Sequence, residues 1–330
     1  MAGMITAPVR RRLHAAVVIV GAVAALLPHC ARCQITPSQA NRIASALGNR
    51  VEALTIEGGD LGLTGGSYRI RGSDDDMDMD VSKFAGSGEI GDPRRLGDLD
   101  IAWQPRLQGS IGSVNAESHP HAGSRNGVGG QFATFAIEFG GGARFWLSDR
   151  FSLAPTLMGM YGHTSDDATA AASAQTSASG GATARAGWNE NTWTVRPAMN
   201  VQYRFTWNRT ITTLSSDATF FHTQSSGGSN SNIVDGNSGT LANSIDIDVP
   251  LGRQLYGHEL RSGGFFGRTE LFGDLKDGLD TQHVYEIHGR LVLDFLNQFW
   301  KVQWLGIGSS YLWGTNFRGW TVGADVAFRF

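Results

Sequence analysis

Between Thr192 and Trp207 the chain alternates without a break. Trp193, Val195, Pro197, Met199, Val201, Tyr203, Phe205 and Trp207 are apolar. Thr192, Thr194, Arg196, Ala198, Asn200, Gln202, Arg204 and Thr206 between them are small, polar or charged. A strand sends successive side chains to opposite faces, so this pattern predicts a strand with one apolar and one polar face. The chain ends the same way. Trp320, Val322, Ala324, Val326, Phe328 and Phe330 alternate with Thr321, Gly323, Asp325, Ala327 and Arg329. About 10 residues of strand are what a tilted bilayer crossing needs.

The alternation recurs along most of the chain. Leu99, Ile101, Trp103, Pro105 and Leu107 oppose Asp98, Asp100, Gln104 and Arg106. Ala133, Phe135, Ile137, Phe139, Ala143, Phe145 and Leu147 oppose Thr134, Glu138 and Arg144. Phe151, Leu153, Leu157 and Tyr161 follow after a turn at Ser148-Asp149-Arg150. Ile245, Ile247, Val249 and Leu251 face away from Asp246 and Asp248. Tyr285, Ile287, Leu291, Leu293 and Phe295 alternate with Glu286, His288, Arg290 and Asp294. Short turns at Asn208-Arg209, Asn297-Gln298 and Gly314–Asn316 alternate with long polar loops at 164–187 and 223–242. About eleven strands are supported in this way, and residues 61–85 can supply a twelfth. Transmembrane barrels have even strand counts, short periplasmic turns and long outer loops. The predicted fold is therefore all-β: a transmembrane antiparallel β-barrel of about twelve strands over 61–330, with ten as the alternative count. A soluble sandwich would not need the turn-loop asymmetry.

The amino terminus changes the picture from strand to leader. Arg10, Arg11 and Arg12 precede an apolar run from Ala15 to Leu27, and Ala31-Arg32-Cys33 offers small residues for cleavage before Gln34. Residues 1–33 thus read as a secretory signal peptide. Residues 34–60 read as a helical segment. Thr36 is placed to cap it, Pro37 occupies the first turn, and Gln39 completes a capping box. Ile43, Leu47, Val51 and Leu54 then fall on one face before Gly58-Gly59. This helix, at 37–54, is expected in the periplasm or as a plug of the lumen.

Composition supports the same compartment. The chain has 330 residues, 44 Gly and 2 Cys, and a mean hydropathy of −0.17. No internal run approaches the roughly 18 apolar residues of a spanning helix. Removal of 1–33 takes away both cysteines and four arginines, leaving 23 basic against 30 acidic residues, a formal charge near −7. That excludes a disulfide framework and argues against nucleic-acid binding. The acidic run Asp74–Asp80 lacks the glycine and terminal glutamate of a calcium loop and reads as a solvated loop. His119-Pro120-His121 has too few ligands for a metal. No metal or other cofactor is expected.

The last thirty residues carry a family resemblance. Trp304-Leu305-Gly306-Ile307-Gly308, Ser310-Tyr311-Leu312-Trp313-Gly314 and Gly319-Trp320-Thr321-Val322-Gly323 lead to Phe328-Arg329-Phe330. This segment resembles the end of the solitary outer-membrane autotransporter β-barrel domains. The resemblance implies a bacterial outer-membrane location and twelve strands behind an amino-terminal helix. It also implies that Phe328 and Phe330 belong to the signal read by the barrel-assembly machinery. Outer-membrane lipids are the other expected partner, and a monomer the expected state. Only about 20–60 residues precede the first predicted strand, so there is no room for a secreted passenger.

Candidate chemistry lies on the polar parity. Asp100, Arg106, Glu138, Arg144, Arg196, Arg204, Glu286, His288, Arg290 and Asp294 are expected to line the lumen, since an arginine or lysine on the lipid face costs about 2–4 kcal/mol at the midplane. Such a set can line a pore or pair internally and hold a closed barrel in shape. The expected function is a passenger-less autotransporter-like barrel acting as a pore or a structural surface protein. A passive-diffusion porin is the alternative and an outer-membrane hydrolase the third reading. His288, beside Glu286 and Arg290, is the only strand histidine in a polar row, and no serine in a nucleophile context accompanies it in sequence. No catalytic residue is therefore assigned, and the chain is expected not to be an enzyme.

Overall fold

The computed structural model describes residues 62–71, 77–89, 95–96, 99–118, 128–166, 189–228, 235–279, 281–295 and 302–328. The leader at 1–33, the helix at 37–54, the histidines at 119 and 121, and Phe330 lie outside them. All described residues belong to the compact unit Cys33–Phe330.

Twelve long strands follow in chain order. They are β1 (Gly62–Arg71), β2 (Met77–Glu89), β3 (Leu99–Ser118), β4 (Val128–Trp146), β5 (Phe151–Asp166) and β6 (Asn189–Trp207). Then come β7 (Thr210–Gly228), β8 (Gly236–Leu255), β9 (His258–Gly273), β10 (His283–Asp294), β11 (Val302–Gly314) and β12 (Phe317–Phe328). Each pairs antiparallel with the next, from Leu63↔Gly86 at the start to Tyr311↔Trp320 at the end. β1 pairs with β12 through Gly62↔Asp325 to Ile70↔Phe317, which closes the ring. The two residues Arg95–Leu96 only bridge to the start of β3. Closure removes every edge strand, so each backbone amide and carbonyl of the spanning region finds a ladder partner. No helix among the described residues is long and apolar enough to cross a membrane.

The strand ends sort into two sets. At the end where β12 finishes, the described connections β4–β5, β6–β7 and β8–β9 are tight; the short turn 315–316 between β11 and β12 lies at the opposite end. Asn208 and Arg209 have φ of 46° and 67°, and Tyr256 and Gly257 have 54° and 81°. These left-handed pairs are the two-residue turns that match strand twist. The turn at 147–150 is tied by Ser148 Oγ, which accepts from the Phe151 amide at 3.1 Å. The opposite end carries the connections 119–127, 167–188 and 229–235. The tight end is periplasmic and the other faces outward.

The structure departs from the sequence reading in four places. Region 61–85 supplies a full hairpin, β1 and β2, rather than one strand. The second half of the acidic run, from Met77 on, is therefore strand. β3 runs on to Ser118, past the alternation that ends at Leu107, and the polar loop expected at 223–242 is mostly β7 and β8. Strands of 19 or 20 residues exceed a bilayer crossing, so their ends run in water, where apolar alternation is no longer required. A helix, α1 (Asp274–Leu279), also sits between β9 and β10. Six residues are too few for a 3.6-residue period to be read.

Candidate functional site: a polar lumen with an apolar outer rim

The two faces of the sheet are chemically opposite. Trp103, Leu107, Phe135, Ile137, Phe139, Leu157, Trp193, Val195 and Met199 are exposed on one parity. On the other, Ser110, Thr134, Glu138, Ser152, Thr192 and Thr194 are buried. Apolar side out and polar side in is the reverse of a soluble sandwich.

On the inward parity of β4 to β6, charge is paired and dry. Arg196 sends Nε to Glu138 Oε1 at 2.5 Å and Nη2 to Oε2 at 2.7 Å. β5 lies between these two strands, with Met160 opposite Glu138 and Met158 opposite Arg196. Both methionines are 2% exposed, so the fork of the guanidinium is held against an apolar floor. Arg106 acts on the same carboxylate electrostatically. Toward the periplasmic end Arg144 Nη1 donates to Gln202 Oε1 at 2.6 Å. Arg204 is exposed there, and its backbone amide donates to Arg150 O.

Across the barrel the polar groups are less enclosed. Arg290 on β10 reaches Asp246 on β8 at 2.9 Å, passing over β9 at Gly263. A Cβ at Gly263 would stand 2.5 Å from Arg290 Nε, so the glycine leaves the passage open. Arg261 holds Asp248 at 3.0 Å. Asn200 Nδ2 and Thr219 Oγ1 both donate to Asp217. Glu286 and Asp294 stand on the same parity of β10, each partly exposed. The side chains of Asp100 and Phe328 lie outside the described residues.

His288 has a partner that the sequence order hides. Its Nδ1 lies 3.0 Å from Ser310 Oγ, which accepts from Thr321 Oγ1 at 3.0 Å. The register His288↔Ser310↔Thr321 brings the three together across β10, β11 and β12. Only strand pairing, which a single sequence does not encode directly, could have found Ser310. The neighbouring strand amides are engaged in the ladder, so they offer no oxyanion hole of the kind acyl transfer needs.

At the outward end the inward parity turns apolar. Phe221, Leu271, Val284, Leu312 and Phe317 are all 5% exposed or less. Gly273, with φ 64°, turns the chain at the top of β9, where a Cβ would meet Asn237 O at 2.2 Å. α1 then packs on β8 and β9. The Leu275 amide donates to Ser238 Oγ, an inward group of β8, and the Asn237 amide donates to Asp274. Leu275 and Leu279 are 1% and 4% exposed. Thr281, behind the helix, accepts from the Asn316 amide in the β11–β12 turn. The contact with Ser238, inward on β8, therefore holds α1 on the lumen side of the rim. The sequence signal was the apolar pair Leu275 and Leu279 inside a polar connection.

The family model described as the solitary outer membrane autotransporter beta-barrel domain matches residues 94–323. Among solved structures, the transport unit of the autotransporter AIDA-I from Escherichia coli aligns with a TM-score of 0.56 at 11% identity, over 89% of this chain and 100% of its own. The translocator domain of NalP from Neisseria meningitidis gives 0.54 at 12% identity, over 89% and 98%. The β domain of the Bordetella autotransporter BrkA gives 0.51 at 15% identity, over 82% and 99%. At these identities the likeness is one of fold. No curated protein matches the sequence significantly.

Proposed function

The chain belongs to the solitary outer membrane autotransporter beta-barrel domain family, and from that premise we propose that it is a structural surface barrel whose resting lumen is closed. It is an integral protein of the bacterial outer membrane with an autotransporter-like barrel. The observation that carries the closed reading is α1 on the inner side of the outward rim, with Leu275 and Leu279 buried among inward-facing apolar residues. An open aqueous mouth would leave those leucines in water, at about 1.5–3 kcal/mol each. Below them the lumen charges satisfy one another, Arg196 with Glu138, Arg290 with Asp246 and Arg261 with Asp248. Such pairing supports shape-holding over the single-sign rings that select ions.

Planar-bilayer recording of the purified full chain tests this. Wild type should show no sustained conductance, and Leu275→Asp with Leu279→Asp should give resolved steps. Stable ohmic channels in wild type would overturn the closed reading and favour the porin alternative, for which the arginines of the lumen speak. No enzymatic role is proposed. Hydrolysis of phospholipid or peptide by the pure protein that is lost on His288→Ala or Ser310→Ala would reverse that.

A further inference from the structure

We infer that the outward face of β9 to β1 carries a binding site for a phosphate-bearing glycolipid headgroup of the outer leaflet. Five directly paired residues form one transverse row on the lipid-facing parity: Arg268, Tyr285, Trp313, Arg318 and Arg69. The next register position, on β2, is Asp80. Arg69, Arg268 and Arg318 are all exposed. Arg268 stands over the Tyr285 ring at 5.7 Å and pairs with Glu270. Tyr285 stacks on Trp313 with ring centroids 5.6 Å apart.

The height of the row fits a headgroup. It lies near the outward ends of β10, β11, β12 and β1. One step toward the periplasm, the next row reads Phe266, Ile287, Tyr311, Trp320. Leu291, Ile307 and Val322 continue it. Aromatic rings mark the interface of a transmembrane barrel, so the arginines stand at the level of the lipid phosphates. A cation there would be costly in hydrocarbon and is favoured beside a phosphate. Three arginines against Glu270 and Asp80 leave the row net positive. With strands about 4.8 Å apart, Arg268 is separated from Arg318 by roughly 14 Å and from the adjacent Arg69 by roughly 19 Å, two cationic points with stacked rings between them. Sugar rings have apolar faces that pack on such rings, and guanidinium forks take phosphate oxygens in pairs.

The test uses the full chain in phosphatidylcholine nanodiscs titrated with bisphosphorylated lipid A, its dephosphorylated form, phosphatidylglycerol and inorganic phosphate. Near a membrane surface each arginine contributes about fivefold to anion affinity, so Arg268→Gln with Arg318→Gln should weaken lipid A binding roughly 25-fold. Arg209→Gln, at the periplasmic end, should leave it unchanged, and Arg268→Lys with Arg318→Lys should retain most of it. Heat-modifiable migration in gels establishes that each variant is a folded barrel. Four results would overturn the site: equal binding by the Gln double variant; equal binding of dephosphorylated lipid A; equal binding of phosphatidylglycerol, which means a generic anionic surface; or equal binding of inorganic phosphate, which means a free-anion site.

Discussion

Replacing Arg196 by Met isolates the energetics of the lumen. The Glu138 side chain is 1% exposed and the Arg196 side chain 16%. Both oxygens of the carboxylate are occupied by one guanidinium, at 2.5 and 2.7 Å. Met keeps the length and the apolar contact of the arginine stem with the β5 floor, so packing loss is small. What remains is an uncompensated buried carboxylate, for which losses of about 3–5 kcal/mol are typical. Arg106 still acts on Glu138, which places the expected loss at the lower end, about 3 kcal/mol. Urea unfolding of the refolded barrel in lipid vesicles, followed by tryptophan fluorescence, would read this as a shift in midpoint at constant slope. Glu138→Met with Arg196→Met removes both charges, and the double variant should return to within about 1 kcal/mol of wild type. If Arg196→Met alone costs less than about 1 kcal/mol, the pair is hydrated and the dry wall described for β4 to β6 is wrong.

Other substitutions probe separate parts of the fold. Gly142→Ala should lower the yield of heat-modifiable barrel, because its Cβ would stand 2.3 Å from Pro155 O and part β4 from β5; overpacking of this kind costs about 1–3 kcal/mol. Arg209→Gly should raise the unfolding free energy by up to about 1 kcal/mol, read as a higher urea midpoint, since Arg209 has φ 67° and glycine meets no Cβ clash there; its exposed pair with Glu259 offsets little of that. Introduced cysteines should report the position of α1: Leu275→Cys should resist a membrane-impermeant maleimide and Lys276→Cys should react, and equal labelling would release α1 from the rim.

The sequence makes the barrel legible because two solvents act on two parities. Where lipid lies on one side and the lumen on the other, as along β6, every residue obeys the period of two, and the strand can be read directly from Trp193 to Trp207. Where both sides are water the constraint lapses, and the outward ends of β3, β7 and β8 read as loop. The expectation that Arg106, Glu138, Arg144, Arg196, Arg204, Glu286, His288, Arg290 and Asp294 line the lumen rests on parity alone. Their pairing does not follow from it. Glu138 meets Arg196 across an intervening strand, Arg290 meets Asp246 likewise, and Ser310 comes to His288 only through register. Those meetings depend on the shear of the closed sheet, which a single chain of letters does not show.

The same register argument bears on how the proposed structural barrel differs from a conduit. A translocating lumen must present continuous weak contacts to a moving chain, because any strong paired charge in the path has to be broken at each passage. Here three arginines of the lumen wall, Arg196, Arg261 and Arg290, are each paired with a carboxylate, and Met158 and Met160 on the intervening strand are buried beside the bridge from Arg196 to Glu138. On the proposed closed reading, α1 seals the outward rim: its Leu275 amide donates to Ser238 of β8, and Thr281 beyond the helix accepts from the β11–β12 turn. Opening the lumen would require moving α1 and exposing Leu275 and Leu279 together, roughly 3–6 kcal/mol of apolar burial. A free-energy difference of that size keeps the open form below about 1% at rest. A ligand that favours the open form must therefore supply several kcal/mol of differential contact.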